Sequence, residues 1–208
     1  MTFSRGYFLA LIISLLLMLL MKSIRYALMG TALAAVILSV ILALFPAFRA
    51  RTISIFDLSS HPSNMERLYY MKIARDMISD HPVAGIGQKE WANNVDVYAT
   101  PYRALWPFSP TLYTNPHNLY LLVAVETGIT GLILFMSIWI PVAYMLLFRP
   151  SGGKGSFPYA LSLGSGFIIV NHLFGGFFDD NLKRPINVMF VVLIVSLAFL
   201  IRDRNKSS

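Results

Sequence analysis

The amino-acid sequence predicts an all-α, polytopic integral membrane protein with about five transmembrane helices and one large helical loop. Three observations carry that expectation. Five apolar runs, residues 7–21, 26–48, 119–148, 157–176 and 186–201, have or approach the length of a bilayer crossing, for which a helix needs about 20 residues. Of the whole chain, 56% of residues are hydrophobic and only 13% are charged, a balance far from that of a soluble domain. The charges are also segregated between two sets of connections, as orientation in a membrane requires.

Residues 1–48 hold the first two transmembrane helices, with the N-terminus outside. The first run is short, and Lys22 completes it by snorkelling to the interface. It leads into the second run without a small-residue cleavage site, which argues against a removable signal peptide. Residues 49–115 form the outer loop. There Ser63-Asn-Met-Glu66 has the form of a capping box, with Ser63 capping a helix start and Glu66 reaching back to it. Met65, Leu68, Tyr69, Ile73 and Met77 recur as one apolar stripe of that helix. It is expected to stop near Asp80, because Pro82 pushes His81 out of helical conformation. Gly85-Ile-Gly87 supplies a flexible turn, and Trp91 opens a second short helix. The proline- and aromatic-rich stretch from Tyr98 to Pro116 is expected to lie as irregular structure on the membrane interface, where Trp91, Trp106 and Tyr113 suit an aromatic belt.

Residues 116–208 carry three transmembrane helices and a cytoplasmic tail. The run 119–148 is longer than one crossing, so it is expected to tilt, to kink at Pro141 or to project beyond the bilayer. The run 157–176 is softened by Ser162, Ser165, Asn171 and His172, and the run 186–201 is short, with Arg202 placed to snorkel.

Charge orients these spans. Lys22 and Arg25, Arg149 and Lys154, and Arg202, Arg204 and Lys206 occupy one set of connections, with Asp203 the only acid there. The other set holds the loop 49–115, with seven Lys/Arg against six Asp/Glu, and the turn from Asp179 to Arg184. The positive-inside rule puts the first set in the cytoplasm. The net charge of +7 is therefore a topology signal and not the footprint of nucleic-acid binding. Zero cysteines exclude thiolate chemistry, disulfides and cysteine-based metal sites. His61, His81, His117 and His172 are scattered without ligand spacing, so neither a metal nor a cofactor is expected. Gly85 and Gly87 make no dinucleotide fingerprint, and Asp179 and Asp180 fit a plain polar turn better than an acceptor-sugar contact.

The most informative stretch is Asn115-Pro-His-Asn-Leu-Tyr-Leu-Leu-Val-Ala-Val-Glu-Thr-Gly-Ile-Thr-Gly131. It puts His117 in the first turn of a helix starting at Pro116, with Glu126 about 13 Å further down. Ionisable residues at membrane depth mark functional sites by default. At that depth Glu126 fits a structural pairing role, and Gly128 and Gly131 fit a close approach of neighbouring helices. In the loop, Arg67 lies in the first turn of its helix, and Arg75 follows on a similar face. Arginine is the side chain best suited to phosphate, because its planar fork donates two parallel hydrogen bonds and keeps its charge. One topology puts Arg5, Arg67 and His117 on the same side of the membrane.

Asp80-His-Pro-Val-Ala-Gly-Ile-Gly87, then Pro116-His-Asn-Leu-Tyr-Leu121, then Glu126-Thr-Gly-Ile-Thr-Gly131 resemble the C-terminal half of the O-antigen ligase and polymerase family. Thr2-Phe-Ser-Arg-Gly6 is similar to a Ser-Arg-Gly segment that precedes the large loop in that family. The resemblance implies a metal-independent, inverting glycosyltransferase of the bacterial inner membrane with a periplasmic active face. It carries three essential groups over to Arg5, Arg67 and His117, the arginines as pyrophosphate clamps and the histidine as general base. Arg75, Asn118 and Asn115 are expected to bind substrate; Glu126, Gly85, Gly87, Gly128 and Gly131 are expected to be structural. The implied partners are an undecaprenyl pyrophosphate-linked glycan donor, a glycolipid or saccharide acceptor such as lipid A-core, and the lipid bilayer, with no nucleic acid. Family members are usually about twice as long, so the resemblance further implies a separate N-terminal membrane half as a partner. Two other readings stay open: a polymerase that joins repeat units on the same carrier, and a non-catalytic membrane fragment or accessory subunit.

Overall fold

The computed structural model describes residues 5–46, 62–105, 115–180 and 185–204. Among them every regular element is helical: α1 (Arg5–Lys22), α2 (Ile24–Leu44), α3 (Pro62–Asp80), α4 (Trp91–Ala99) continued by a 3₁₀ turn (Thr100–Leu105), α5 (Leu119–Phe148), α6 (Phe157–Gly175) and α7 (Pro185–Arg204). Ile24–Leu44, Leu119–Phe148 and Phe157–Gly175 are long and apolar enough to cross a membrane, and Ala10–Met21 and Asn187–Ile201 are shorter apolar helices. The five expected runs are thus helical, three at full crossing length and two below it. His61, Trp106 and Tyr113 lie outside the described residues.

A single residue separates α1 from α2. Ser23 is extended, its Oγ accepts the Arg25 N–H at 3.2 Å, and its own N–H reaches Leu19 O at 3.0 Å. One polar residue therefore ends the first helix and caps the second. α2 packs on α1 and keeps its large apolar side chains outward, which is stable where lipid is the solvent. α6 is the centre of the bundle, in contact with α1, α5 and α7. Its polar interruptions are turned inward: Ser162 and Ser165 are buried, and Ser165 Oγ donates to Leu161 O at 2.8 Å. That is why this run is the softest in the sequence, since the residues that lower its hydropathy meet protein. Leu119, Ala143, Leu146, Ile169, Val191 and Ala198 form the bundle core.

A second packed unit is built from α3 and α4. Tyr69, Tyr70, Ile73, Ala74 and Met77 of α3 meet Trp91, Val95 and Ala99 of α4 and Val125 of α5. The buried stripe is rotated from the expected one: Tyr70 and Ala74 are inside, whereas Leu68 is 46% exposed. Both adjacent tyrosines enter the core because each hydroxyl finds an acceptor there, Ala99 O for Tyr69 and Glu66 Oε1 for Tyr70, and buried aromatic rings contribute more than a leucine does. α3 starts at Pro62, one residue ahead of the expected cap, and proline is well suited to a first helical position. The Ser63 side chain lies outside the described residues.

α5 is not one rod. Gly128 has φ 72° and ψ −179°, a conformation open essentially to glycine alone. The break falls there, whereas Pro141, a kink at which was one of three alternatives expected for this long run, keeps helical backbone. The loop 82–89 enters the break and bonds the backbone groups it releases. Ile86 N–H donates to Val125 O at 2.8 Å, Gly87 N–H to Glu126 O at 3.1 Å, and Ile129 N–H to Pro82 O at 2.7 Å. The Thr130 hydroxyl donates to Val83 O, and Lys89 N–H donates to the Glu126 carboxylate at 3.1 Å. A Cβ on Gly128 would sit 2.1 Å from Val83 O, and one on Gly85 would sit 2.5 Å from Glu126 C. The turn around Gly85, expected to be flexible, is thus pinned, and Gly128 admits loop backbone, not a neighbouring helix. The part of α5 beyond the break still measures about 30 Å at 1.5 Å per residue, the thickness of a bilayer's hydrocarbon core. Glu126 stands at the joint ahead of that part.

Candidate active site

Asparagines build the approach to α5. Asn118 is the N-cap: its Oδ1 accepts the Leu121 N–H at 3.0 Å, and its Nδ2 donates to Phe177 O at 3.2 Å. Leu119 N–H donates to Gly176 O at 2.7 Å, and the Tyr120 hydroxyl donates to Leu173 O. The helix therefore starts at Leu119 and not at Pro116, and His117 stands outside it, where the first turn was expected. The physical reason is Asn118, an efficient cap whose side chain ends the extended segment. The N–H groups of Leu119 and Leu121, which a bare helix end offers to an anion, are spent inside the protein.

His117 has φ 49°, the left-handed region, which costs a residue with a Cβ about 1–2 kcal/mol. Its N–H is accepted by Asn115 Oδ1 at 3.0 Å, and Asn115 Nδ2 donates to Asp180 Oδ2 at 2.5 Å. Both asparagine side chains are thus engaged in holding the segment. The half-buried His117 ring lies against Tyr70 of α3, with centroids 6.3 Å apart and planes tilted by 48°. Tyr70 is fully buried, donates its hydroxyl to Glu66 Oε1 at 2.9 Å and meets the Trp91 ring edge-on at 6.2 Å. Arg67 precedes Tyr70 by three residues, and residues so spaced share a helix face. It is half-buried and makes no ion pair among the described residues.

The structure brings His117 to the α3 face that carries Arg67 and leaves Arg75 elsewhere. Arg75 is exposed and acts electrostatically on Tyr102. The Tyr102 hydroxyl donates to the Asp76 carboxylate, which raises its pKa above the ordinary tyrosine value, and Arg75 pulls the other way. Burial raises the neighbouring Tyr98, helped by a hydrogen bond to Asp80. Between α3 and α4 an open cleft of about 580 Å³ is lined by Asp76, Ser79, Asp80, Asn94, Val97, Tyr98 and Pro101. Arg5 heads α1, which packs on α6; its side chain lies outside the described residues. Among the described residues no three His, Asp or Glu side chains cluster as metal ligands do.

Sequence reasoning missed Tyr70 as the wall of the His117 ring. The one signal was the Tyr69-Tyr70 pair, since a single helical stripe accounts for only one of two neighbours. It also treated Asp180 as a plain turn residue, and nothing local to Asp180 points to Asn115.

Three apolar helices of membrane length and two shorter ones, with a packed helical unit joined to α5, define the class: a multi-pass α-helical membrane protein. The profile of the O-antigen ligase family matches residues 1–136, well over half of the chain, and the chain belongs to that family. The match takes in every motif position from Arg5 to Gly131, whereas Asp180 lies beyond it. Membership places the protein among membrane glycosyltransferases, with lipid-linked glycans and saccharides as the substrates the family implies. Comparison with curated proteins found no match.

Proposed function

We propose that this chain transfers a glycan from undecaprenyl pyrophosphate to a sugar hydroxyl of an acceptor such as lipid A-core, on the periplasmic face of the bacterial inner membrane. The observation that carries the reading is the packing of Tyr70 on His117, which supports placing His117 near the face of α3 from which Arg67, three residues before Tyr70, projects. In the reaction a neutral His117 imidazole takes the proton of the acceptor hydroxyl. The acceptor oxygen then bonds to the anomeric carbon while the bond from that carbon to the pyrophosphate oxygen breaks. Direct displacement inverts the anomeric centre. The leaving pyrophosphate gains negative charge, and Arg67 and Arg5 stabilise it as fixed cations. The N–H groups of Leu119 and Leu121 are already bonded within the protein, which supports assigning the anion chemistry to the arginines.

The test is glycan transfer from a lipid-linked donor by membranes carrying the chain. A positioned acid–base group contributes about 10²–10⁴-fold in rate, so His117→Ala is expected to lose that much. His117→Gln keeps hydrogen bonding but carries no proton, and it is expected to fail nearly as badly. A glutamine variant at close to the parent rate would remove the general-base role. Absence of transfer by the parent chain would favour a non-catalytic membrane subunit.

A further inference from the structure

We infer that Asp180, acting through Asn115, is a positioning residue for His117; this rests on the reading of His117 as the general base. The hydrogen bonds have one solution. A backbone N–H only donates and a carboxylate only accepts. The Asn115 side chain lies between one of each, 3.0 Å from His117 N and 2.5 Å from Asp180 Oδ2. Its oxygen must face His117 and its nitrogen must face Asp180, which fixes the plane of the amide. The contact to Asp180 is charge-assisted and therefore strong, and it ties together residues 65 apart in sequence. Asp180 is braced in turn, its N–H held by Asp179 Oδ1 at 2.9 Å.

What this chain of bonds holds is a left-handed backbone at His117, φ 49°, in a region that side-chain-bearing residues leave readily for the α or β basins. Loss of the Asn115 acceptor lets φ change sign. The imidazole then moves off its place beside Tyr70, where the ring centroids are 6.3 Å apart. Asp180 therefore acts at a distance from the reacting atoms, by fixing where the base stands.

The test is an exchange. Asn115→Asp sets two carboxylates against each other and opens the pair. Asn115→Asp combined with Asp180→Asn restores complementarity, since the carboxylate at position 115 accepts from the His117 N–H and the amide at position 180 supplies the donor that the single variant lacks. Transfer from a lipid-linked donor is measured per inserted chain, with kcat and the donor KM separated. A displacement of about 1 Å at a catalytic group costs about 10²-fold, so Asn115→Asp is expected to lower kcat by about 10–100-fold with KM little changed. The double variant is expected to recover most of that loss, which a merely polar surface turn would not do. Parent-level kcat in Asn115→Asp, or a double variant as slow as the single one, overturns the inference. His117→Ala is assayed alongside. If it is slow while Asn115→Asp is not, the positioning role alone falls; if it matches the parent, the base reading falls with it.

Discussion

His117 and Lys89 are the two non-glycine residues with a left-handed backbone among the described residues, and each N–H is accepted by a side-chain oxygen, of Asn115 and of Glu126 respectively. An unfavourable backbone state persists when its surroundings over-determine it, and such states collect at functional sites. Arg67 differs in kind: it is half-buried, one turn from Tyr70, and makes no ion pair among the described residues. A cation so placed is suited to bind an anion that arrives. Lysine keeps the charge and loses the planar fork that grips two phosphate oxygens at once. Arg67→Lys is therefore expected to insert normally and to lose most transfer activity, at least about tenfold if one charge-assisted bond of about 1.5–3 kcal/mol goes. Near-normal turnover would make Arg67 a surface charge.

At the scale of elements, the two motifs that look separate in sequence are one joint. The loop 82–89 donates and accepts across the break at Gly128, so the glycines of one motif make room for the backbone of the other. Gly128→Ala sets a Cβ 2.1 Å from Val83 O in a backbone conformation closed to alanine. Both partners are backbone, so neither can step aside. A loss of about 2 kcal/mol or more is expected, read as a lower thermal midpoint in detergent. At Gly131 an added Cβ would sit 1.9 Å from the Oγ1 and 2.4 Å from the Cβ of Thr127; side-chain rotation moves the oxygen but not the Cβ, so Gly131→Ala is expected to be costly as well. A Gly128→Ala midpoint equal to that of the parent would sink the joint as described. The apolar runs and the loop helix were legible because burial imposes a period on the sequence. The break was not, because the partners that stabilise it come from a distant loop. The same reason hid Asp180, whose bond to Asn115 joins two turns that only the packed bundle brings together.

The whole molecule has two kinds of end. At one, Leu119 meets Gly176, Asn118 meets Phe177 and Asn115 meets Asp180. At the other, Ser151 N–H meets Ser162 Oγ at 3.4 Å, in the connection that carries Arg149 and Lys154. Alternating helices put Lys22 and Arg25, on either side of the one-residue junction between α1 and α2, in the basic set with them. Basic connections remain on the cytoplasmic side during insertion, because translocating them is costly. On the proposed topology the end that holds His117 is expected to be exported, where a lipid-linked glycan that has crossed the membrane would meet it. Reporter fusions at Asn115 are expected to read outside, and fusions at Lys154 and Arg204 inside. Adding lysines beside Asn115 should weaken this bias, and removing Arg149 and Lys154 together should weaken it further, because the rule counts positive charges near span ends and acids contribute little. An inside reading at Asn115 in the parent chain would put His117, Arg67 and Asp180 on the wrong side of the bilayer for the proposed donor, whatever their mutual geometry.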